Sequence, residues 1–122
     1  MVENLDTEVV SQLVAGDTHE LKPVTIASGA GALARGTVLG LITASSQYNQ
    51  LNPAGADGTE VARAILAEDV DATSEDVLAQ AYVLGKFRES DLVWPGGIPD
   101  TQKKAALLDL QDRGIPVDTD WA

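Results

Sequence analysis

Cysteine is absent from the 122 residues. That excludes disulfides, iron–sulfur clusters and zinc–thiolate sites, and it fits a chain kept in a reducing compartment. Histidine occurs once and aromatic residues make up only 4 % of the chain, so the core has to be built from Val, Leu, Ile and Ala. Basic residues are scarce: 8 Lys and Arg stand against 19 Asp and Glu, for a formal charge of −11. Such a chain repels phosphate and has few cations with which to displace the counterions of DNA, which excludes nucleic acid as a partner. An anionic membrane surface is excluded for the same reason. Long hydrophobic runs are also missing, and the longest, around Thr37 to Ile42, is far too short to span a bilayer. The opening Met1-Val2-Glu3-Asn4-Leu5-Asp6 has neither the basic nor the apolar region of a signal peptide, so the sequence predicts a soluble chain without an export signal.

What is present suffices for a folded domain. Hydrophobic residues amount to 44 %, too many for simple disorder. The length suits one domain, which at this size buries roughly two thirds of its unfolded surface.

Residues 1–18 carry sparse apolar positions, Val2, Leu5, Val9, Val10, Leu13 and Val14, separated by acidic and small polar residues. Neither a helical nor a strand period persists, so this stretch reads as an arm in front of a compact domain at 19–122. From His19 onward short strand patterns follow one another. Leu21 to Ile26 is a strand with Pro23 near an edge, and the Gly/Ala run at 27–32 is a loop. Thr37 to Thr43 is the clearest strand, and Gly40 inside it marks a bulge or a close backbone approach. Tyr48 to Leu51 returns from a turn at Ser45-Ser46, and a polar loop spans 52–58. Val61 to Leu66 is the next strand, Asp69 to Asp76 an acidic turn, and Val77 to Phe87 a further strand weakened at Gly85. No helix separates these strands, which excludes a βαβ plan and predicts a mostly β (α+β) fold.

One helix stands out. Asp100 or Thr101 is placed to cap it, good helix formers follow to Arg113, and Leu107 and Leu110 share a face with Ala106 close by. Gly114 suits the left-handed position after the last turn, and Pro116 prevents continuation. Lys103 and Lys104 fall in the first turn, against the helix dipole. They read either as a solvated face near acidic neighbours or as a docking contact for an acidic partner.

Catalytic patterns are missing. His19 has Glu20 beside it but no nucleophile motif, and reads as a loop histidine. There is no G-x-S-x-G elbow and no phosphate-binding glycine loop; Gly29-x-Gly31 alone is ordinary loop composition. Glu68, Asp69, Asp71, Glu75 and Asp76 form the densest acidic cluster, but their spacing fails the EF-hand pattern, so a solvated turn is predicted instead of a calcium site. Carboxylate pairs for glycoside cleavage are available in number, without the aromatic platforms that sugar sites use. The sequence therefore predicts no catalytic residues, no metal and no cofactor, and a small hydrolase working with Asp and Glu is the least favoured reading. Trp94, held extended by Pro95, is either a core or intersubunit anchor or a binding hot spot. Trp121 lies near the end of the chain.

The stretch Gly-Lys-Phe-Arg-Glu-Ser-Asp-Leu-Val-Trp-Pro at 85–95, followed by Asp-Thr-Gln-Lys-Lys at 100–104, resembles the C-terminal signature of the head decoration proteins of lambda-like tailed bacteriophages. Upstream, Ala56-Asp57-Gly58-Thr59 leading into Val-Ala-Arg-Ala-Ile-Leu-Ala at 61–67 is similar to that family's Asp-Gly loop and small-residue strand. The resemblance covers roughly Leu39 to Leu110. It implies a β-clip-like decoration-protein fold with one short C-terminal helix and an extended N-terminal arm. It implies a capsid cement protein, not an enzyme, seated as homotrimers at three-fold and quasi-three-fold positions of the expanded head, which it stabilises against internal DNA pressure. The implied partners are the major capsid protein and further copies of the chain. The implied location is the outer surface of the virion capsid, with host cytoplasm during assembly. Arm residues Val2, Leu5, Val9, Val10, Leu13 and Val14 would bind the capsid. Phe87, Arg88, Trp94 and Pro95 would serve as core or trimer contacts, with Lys103, Lys104, Leu107 and Leu110 on the helix. At Ile115-Pro116-Val117-Asp118 the chain departs from the family, and an interrupted final strand is expected. The alternative is a β-rich module of another virion component, such as a tail or a glycan-binding surface domain.

Overall fold

The computed structural model describes residues 19–118. The predicted arm residues at positions 2, 5, 9, 10, 13 and 14 lie outside the described residues, as does Trp121. Nine short strands and one α-helix make up the described chain, which is mostly β. The strands are β1 (Glu20–Ile26), β2 (Gly31–Leu33), β3 (Val38–Ile42), β4 (Gln47–Gln50), β5 (Ala62–Leu66), β6 (Val70–Ala72), β7 (Val77–Leu84), β8 (Phe87–Arg88) and β9 (Val117–Asp118); α1 spans Asp100–Asp112. Strands β1, β4, β3, β5 and β7 close into a barrel in that order. All pairings within it are antiparallel except β1 with β4, which meet only at Ile26 and Tyr48.

The shortage of aromatics shapes this barrel. Its interior holds Val24, Ile26, Leu39, Ala64, Leu66, Ala79 and Ala81, joined at one end by Leu33 and Ala72. Few strands leave a narrow interior, and alanines fill it where larger side chains would clash. On β7, Ala79 and Ala81 point in while Leu78 and Gln80 point out, the period-two pattern of a half-buried strand. Strand β5 is buried on both faces: Ala64 and Leu66 join the interior, whereas Ala62 and Ile65 join a second core under α1. That second core contains Val38, Leu51, Leu92, Ala106, Leu110 and Ile115.

Gly40 shows both features expected of it. The β3–β5 register shifts between Leu39 and Gly40, leaving Arg63 as the extra residue of a bulge. A Cβ at Gly40 would lie 2.6 Å from the Thr59 backbone, so the 52–60 loop can lie against β3 only because this residue has no side chain.

Four expectations are corrected. The Gly/Ala run is not wholly loop, and the acidic segment is not wholly turn, because Gly31–Leu33 pairs with Val70–Ala72 as a two-stranded sheet. Neither Asp100 nor Thr101 caps the helix. Pro99 occupies the cap position and makes no side-chain bond, while its carbonyl accepts the Lys103 N–H at 2.9 Å. Proline suits this boundary because its extended backbone feeds the first turn and it has no N–H to satisfy. The final strand is not abolished by Pro116: Val117–Asp118 pairs in parallel with β8. Pro116 contributes its carbonyl, which accepts the Phe87 N–H at 3.1 Å.

The C-terminal end of α1 follows the sequence closely. Gly114 takes φ +91. Its N–H donates to the Gln111 carbonyl at 3.1 Å, and the Ile115 N–H donates to the Leu110 carbonyl at 2.9 Å. This is the paired-bond Schellman ending, completed by Leu110 and Ile115, both fully buried in the second core.

Candidate functional site

The stretch from β8 to Pro95 carries the four residues expected as core or trimer contacts, Phe87, Arg88, Trp94 and Pro95. A single 3₁₀ turn, Glu89–Asp91, is closed by the Leu92 N–H donating to the Glu89 carbonyl at 3.1 Å. The chain then lies against the start of β3. The Val93 N–H donates to the Gly36 carbonyl at 2.8 Å, and the Val38 N–H donates to the Val93 carbonyl at 3.1 Å. Trp94 is thereby held extended and half-buried against the second core, as is Phe87. Pro95 is half-buried and opens a turn in which the Ile98 N–H reaches back to its carbonyl. Arg88 is exposed. On α1, Leu110 is buried, Leu107 half-buried and Lys104 exposed.

Lys103 is not a solvated residue. Its Nζ lies 2.7 Å from Glu89 Oε2, and the two side chains are 24 % and 7 % exposed. The same Nζ sits 5.4 Å from the centre of the Trp94 ring, within reach of its negative face. One helix residue thus ties the 3₁₀ turn and the Trp-Pro step to α1. Glu89 Oε1 and Trp94 Nε1 are buried with no protein partner, so this junction is polar and incompletely satisfied. The sequence signal missed here was Glu89. It reads as one more acidic residue in a loop, and only the fold shows that it is buried beneath the helix.

The acidic loops do different work. Asp76 accepts the Ser28 N–H and the Gln47 side-chain amide, each at 2.8 Å. Asp69 accepts the Arg35 N–H at 2.7 Å, and Glu68 accepts the Gln80 N–H at 2.8 Å. Asp57 and Asp71 each accept the hydroxyl and the backbone N–H of the residue two further on, Thr59 and Thr73. In both, the threonine hydroxyl chiefly, and the amide after it, hold the carboxyl below its ordinary value of 3.8. Among the described residues, no group of three or more His, Cys, Asp and Glu could hold a metal ion.

A cleft of about 360 Å³ lies beside β7, lined by Arg35, Ile65, Tyr82, Phe87, Asp91 and Leu92 among others. Tyr82 and Phe87 meet edge-on with ring centres 5.1 Å apart, and His19 stacks edge-on against Tyr82 at 5.8 Å. Arg35 and Asp91 are its charged residues. The cleft can hold an apolar group between two opposite charges, and it contains no nucleophile paired with a base.

A sequence model described as bacteriophage lambda head decoration protein D matches residues 8–115. No curated protein matches the chain.

Proposed function

Since the chain belongs to the bacteriophage lambda head decoration protein D family, we propose that it decorates the outer surface of a phage head, binding as trimers at three-fold and quasi-three-fold sites of the expanded shell. The observation that carries this reading is the match itself, which spans residues 8–115 and so takes in the whole barrel and α1 in one stretch. The major capsid protein is the proposed partner, and the act is mechanical. A ligand that binds only the expanded lattice stabilises that lattice by linkage, which opposes rupture by packaged DNA.

Two features support the division of labour. Five of the strands close into a barrel, which gives a rigid body. The proposed capsid-binding element is the arm at 1–18, whose apolar residues can add a strand to an exposed sheet edge. A single arm binds weakly, because ordering it costs about 1–2 kcal/mol per residue in backbone entropy. Three arms on one trimer act together at high effective concentration. The excess of carboxylates suits an exterior position, where it keeps crowded particles apart, with nucleic acid on the other side of the shell.

The test is to add the purified protein to expanded heads stripped of decoration. Binding and a higher rupture temperature are expected, and a chain lacking residues 1–18 is expected to keep its melting behaviour and lose binding. Normal binding by the truncated chain contradicts the arm's role. Failure of the full chain to bind its own phage's expanded heads contradicts the function.

A further inference from the structure

We infer that Asp57-Gly58 is the chain's site of backbone rearrangement to isoaspartate, and that the hydrogen bonds fastening the 52–60 loop hold that reaction shut while the chain is folded. The inference concerns the covalent durability of the chain itself and does not rest on the shell-binding reading. Asp57-Gly58 is the one place in the sequence where Asp or Asn precedes glycine. In the rearrangement the Gly58 nitrogen bonds to Asp57 Cγ. One carboxyl oxygen leaves as water, taking the carboxyl proton and the amide proton with it, and a succinimide ring closes. Water then reopens the ring. When the bond between the Gly58 nitrogen and the Asp57 carbonyl carbon is the one that breaks, the chain afterwards runs through the side chain. A Cβ on the following residue crowds this ring closure, and glycine has none.

The fold requires both residues. Gly58 has φ +109, and a Cβ there would run into the Leu41 carbonyl oxygen. Asp57 closes the loop by accepting the Thr59 N–H at 3.1 Å and its hydroxyl at 2.5 Å. Each group that the ring closure uses is thereby engaged. The carboxylate is fixed by Thr59. The attacking nitrogen is turned away, because the Gly58 N–H donates to Glu60 Oε1 at 2.9 Å. The Asp57 carbonyl is pinned to the end of β3, accepting the Thr43 N–H at 3.0 Å and its hydroxyl at 3.2 Å. The Thr59 donors also favour the ionised carboxylate, which is a poor electrophile. The charge of Glu60 opposes loss of the amide proton beside it. Asp57 and Glu60 are exposed, so exclusion of water does not protect the site and the hydrogen bonds do. Ring closure then waits on a local opening of the loop. Once it occurs, the backbone gains a carbon at position 57 and the contact with Thr43 is lost.

The test is to age the full chain in warm, mildly acidic buffer below its melting temperature, beside the same chain unfolded in urea. Isoaspartate is read by fragment-ion mass spectrometry of the tryptic peptide 36–63. Rearrangement at position 57 is expected to be at least about tenfold slower in the folded chain, and to precede rearrangement at any other aspartate once the chain is unfolded. Glu60→Ala frees the Gly58 N–H and Thr59→Val removes the hydroxyl donor. Each is expected to age several-fold faster than folded wild type at unchanged melting, and the double variant faster still. Should Thr59→Val melt early, Glu60→Ala at its exposed position decides. Equal rates in the folded and unfolded chains overturn the protection. Isoaspartate arising first at another residue overturns the site. Variants that fold and age as slowly as wild type overturn the assignment to these hydrogen bonds.

Discussion

Carboxylates hold the molecule together at two places by opposite means. Around the loops at 27–36 and 67–76, Asp76, Asp69 and Glu68 sit exposed and reach across to backbone N–H groups of distant segments. Beneath α1, Glu89 is buried and bonded to a single lysine. An exposed acceptor that loses its donor is rehydrated, so each loop contact is worth little and its loss is tolerated. A buried carboxylate that loses its counterion has no such recourse. The loop end is therefore stapled at many cheap points, while the helix end depends on one expensive one.

Breaking the expensive point should have the largest effect. Lys103→Ala leaves Glu89 buried without its cation, and a loss of about 3 kcal/mol is expected in urea unfolding, the lower end for a broken buried pair because Lys103 keeps some contact with water. Replacing both partners, Glu89→Leu with Lys103→Met, should recover most of that loss. A single variant within 0.5 kcal/mol of wild type, roughly the scatter of a neutral surface change, would remove the distinction between the two regions.

Gly40→Ala tests whether the barrel wall beneath the 52–60 loop is as tolerant as the loop staples. The added methyl meets Thr59 backbone at 2.6 Å, and a loss of roughly 2 kcal/mol is expected, typical of overpacking against groups that cannot move aside. Asp76→Ala removes two exposed hydrogen bonds and should cost about 1 kcal/mol, read by the same unfolding curve. A loss equal to that of Lys103→Ala would contradict the claim that exposed staples are cheap.

The smallest effect is a dependence on acid. The Asp57 and Asp71 carboxyls are lowered by the threonines that donate to them. Their contribution is present above the unfolded value near 3.8 and disappears as pH falls through the lower folded values. Carboxyl titration by NMR should place both midpoints below an ordinary aspartate. Thr59→Val should raise that of Asp57 and leave that of Asp71 in place.

Much of the wall was legible from local chemistry. Branched runs bounded by turns gave β3 and β5, and Gly114 before Pro116 gave the end of α1. The Gly40 bulge followed from a glycine that no regular central strand needs. Three features were hidden because they depend on partners far away in the chain. The small sheet of β2 and β6 joins a glycine run to an acidic turn, neither of which carries a strand pattern alone. The parallel contact of β1 with β4 is a product of barrel closure. Glu89 has no local signature of burial, so the Lys103 contact could not be read from residues 89 or 103 separately. For the proposed site, Trp94 and Lys103 were singled out from the sequence, and the structure brings them together over one buried acid.

The central claim is that this chain seats on a phage head in threes, and imaging expanded heads of its own phage with the protein bound tests it most directly. Density for one chain in each of three positions around every three-fold and quasi-three-fold axis, on the outer surface, is the predicted result. Heads without such density, or density confined to the tail or the inner surface, would contradict the account.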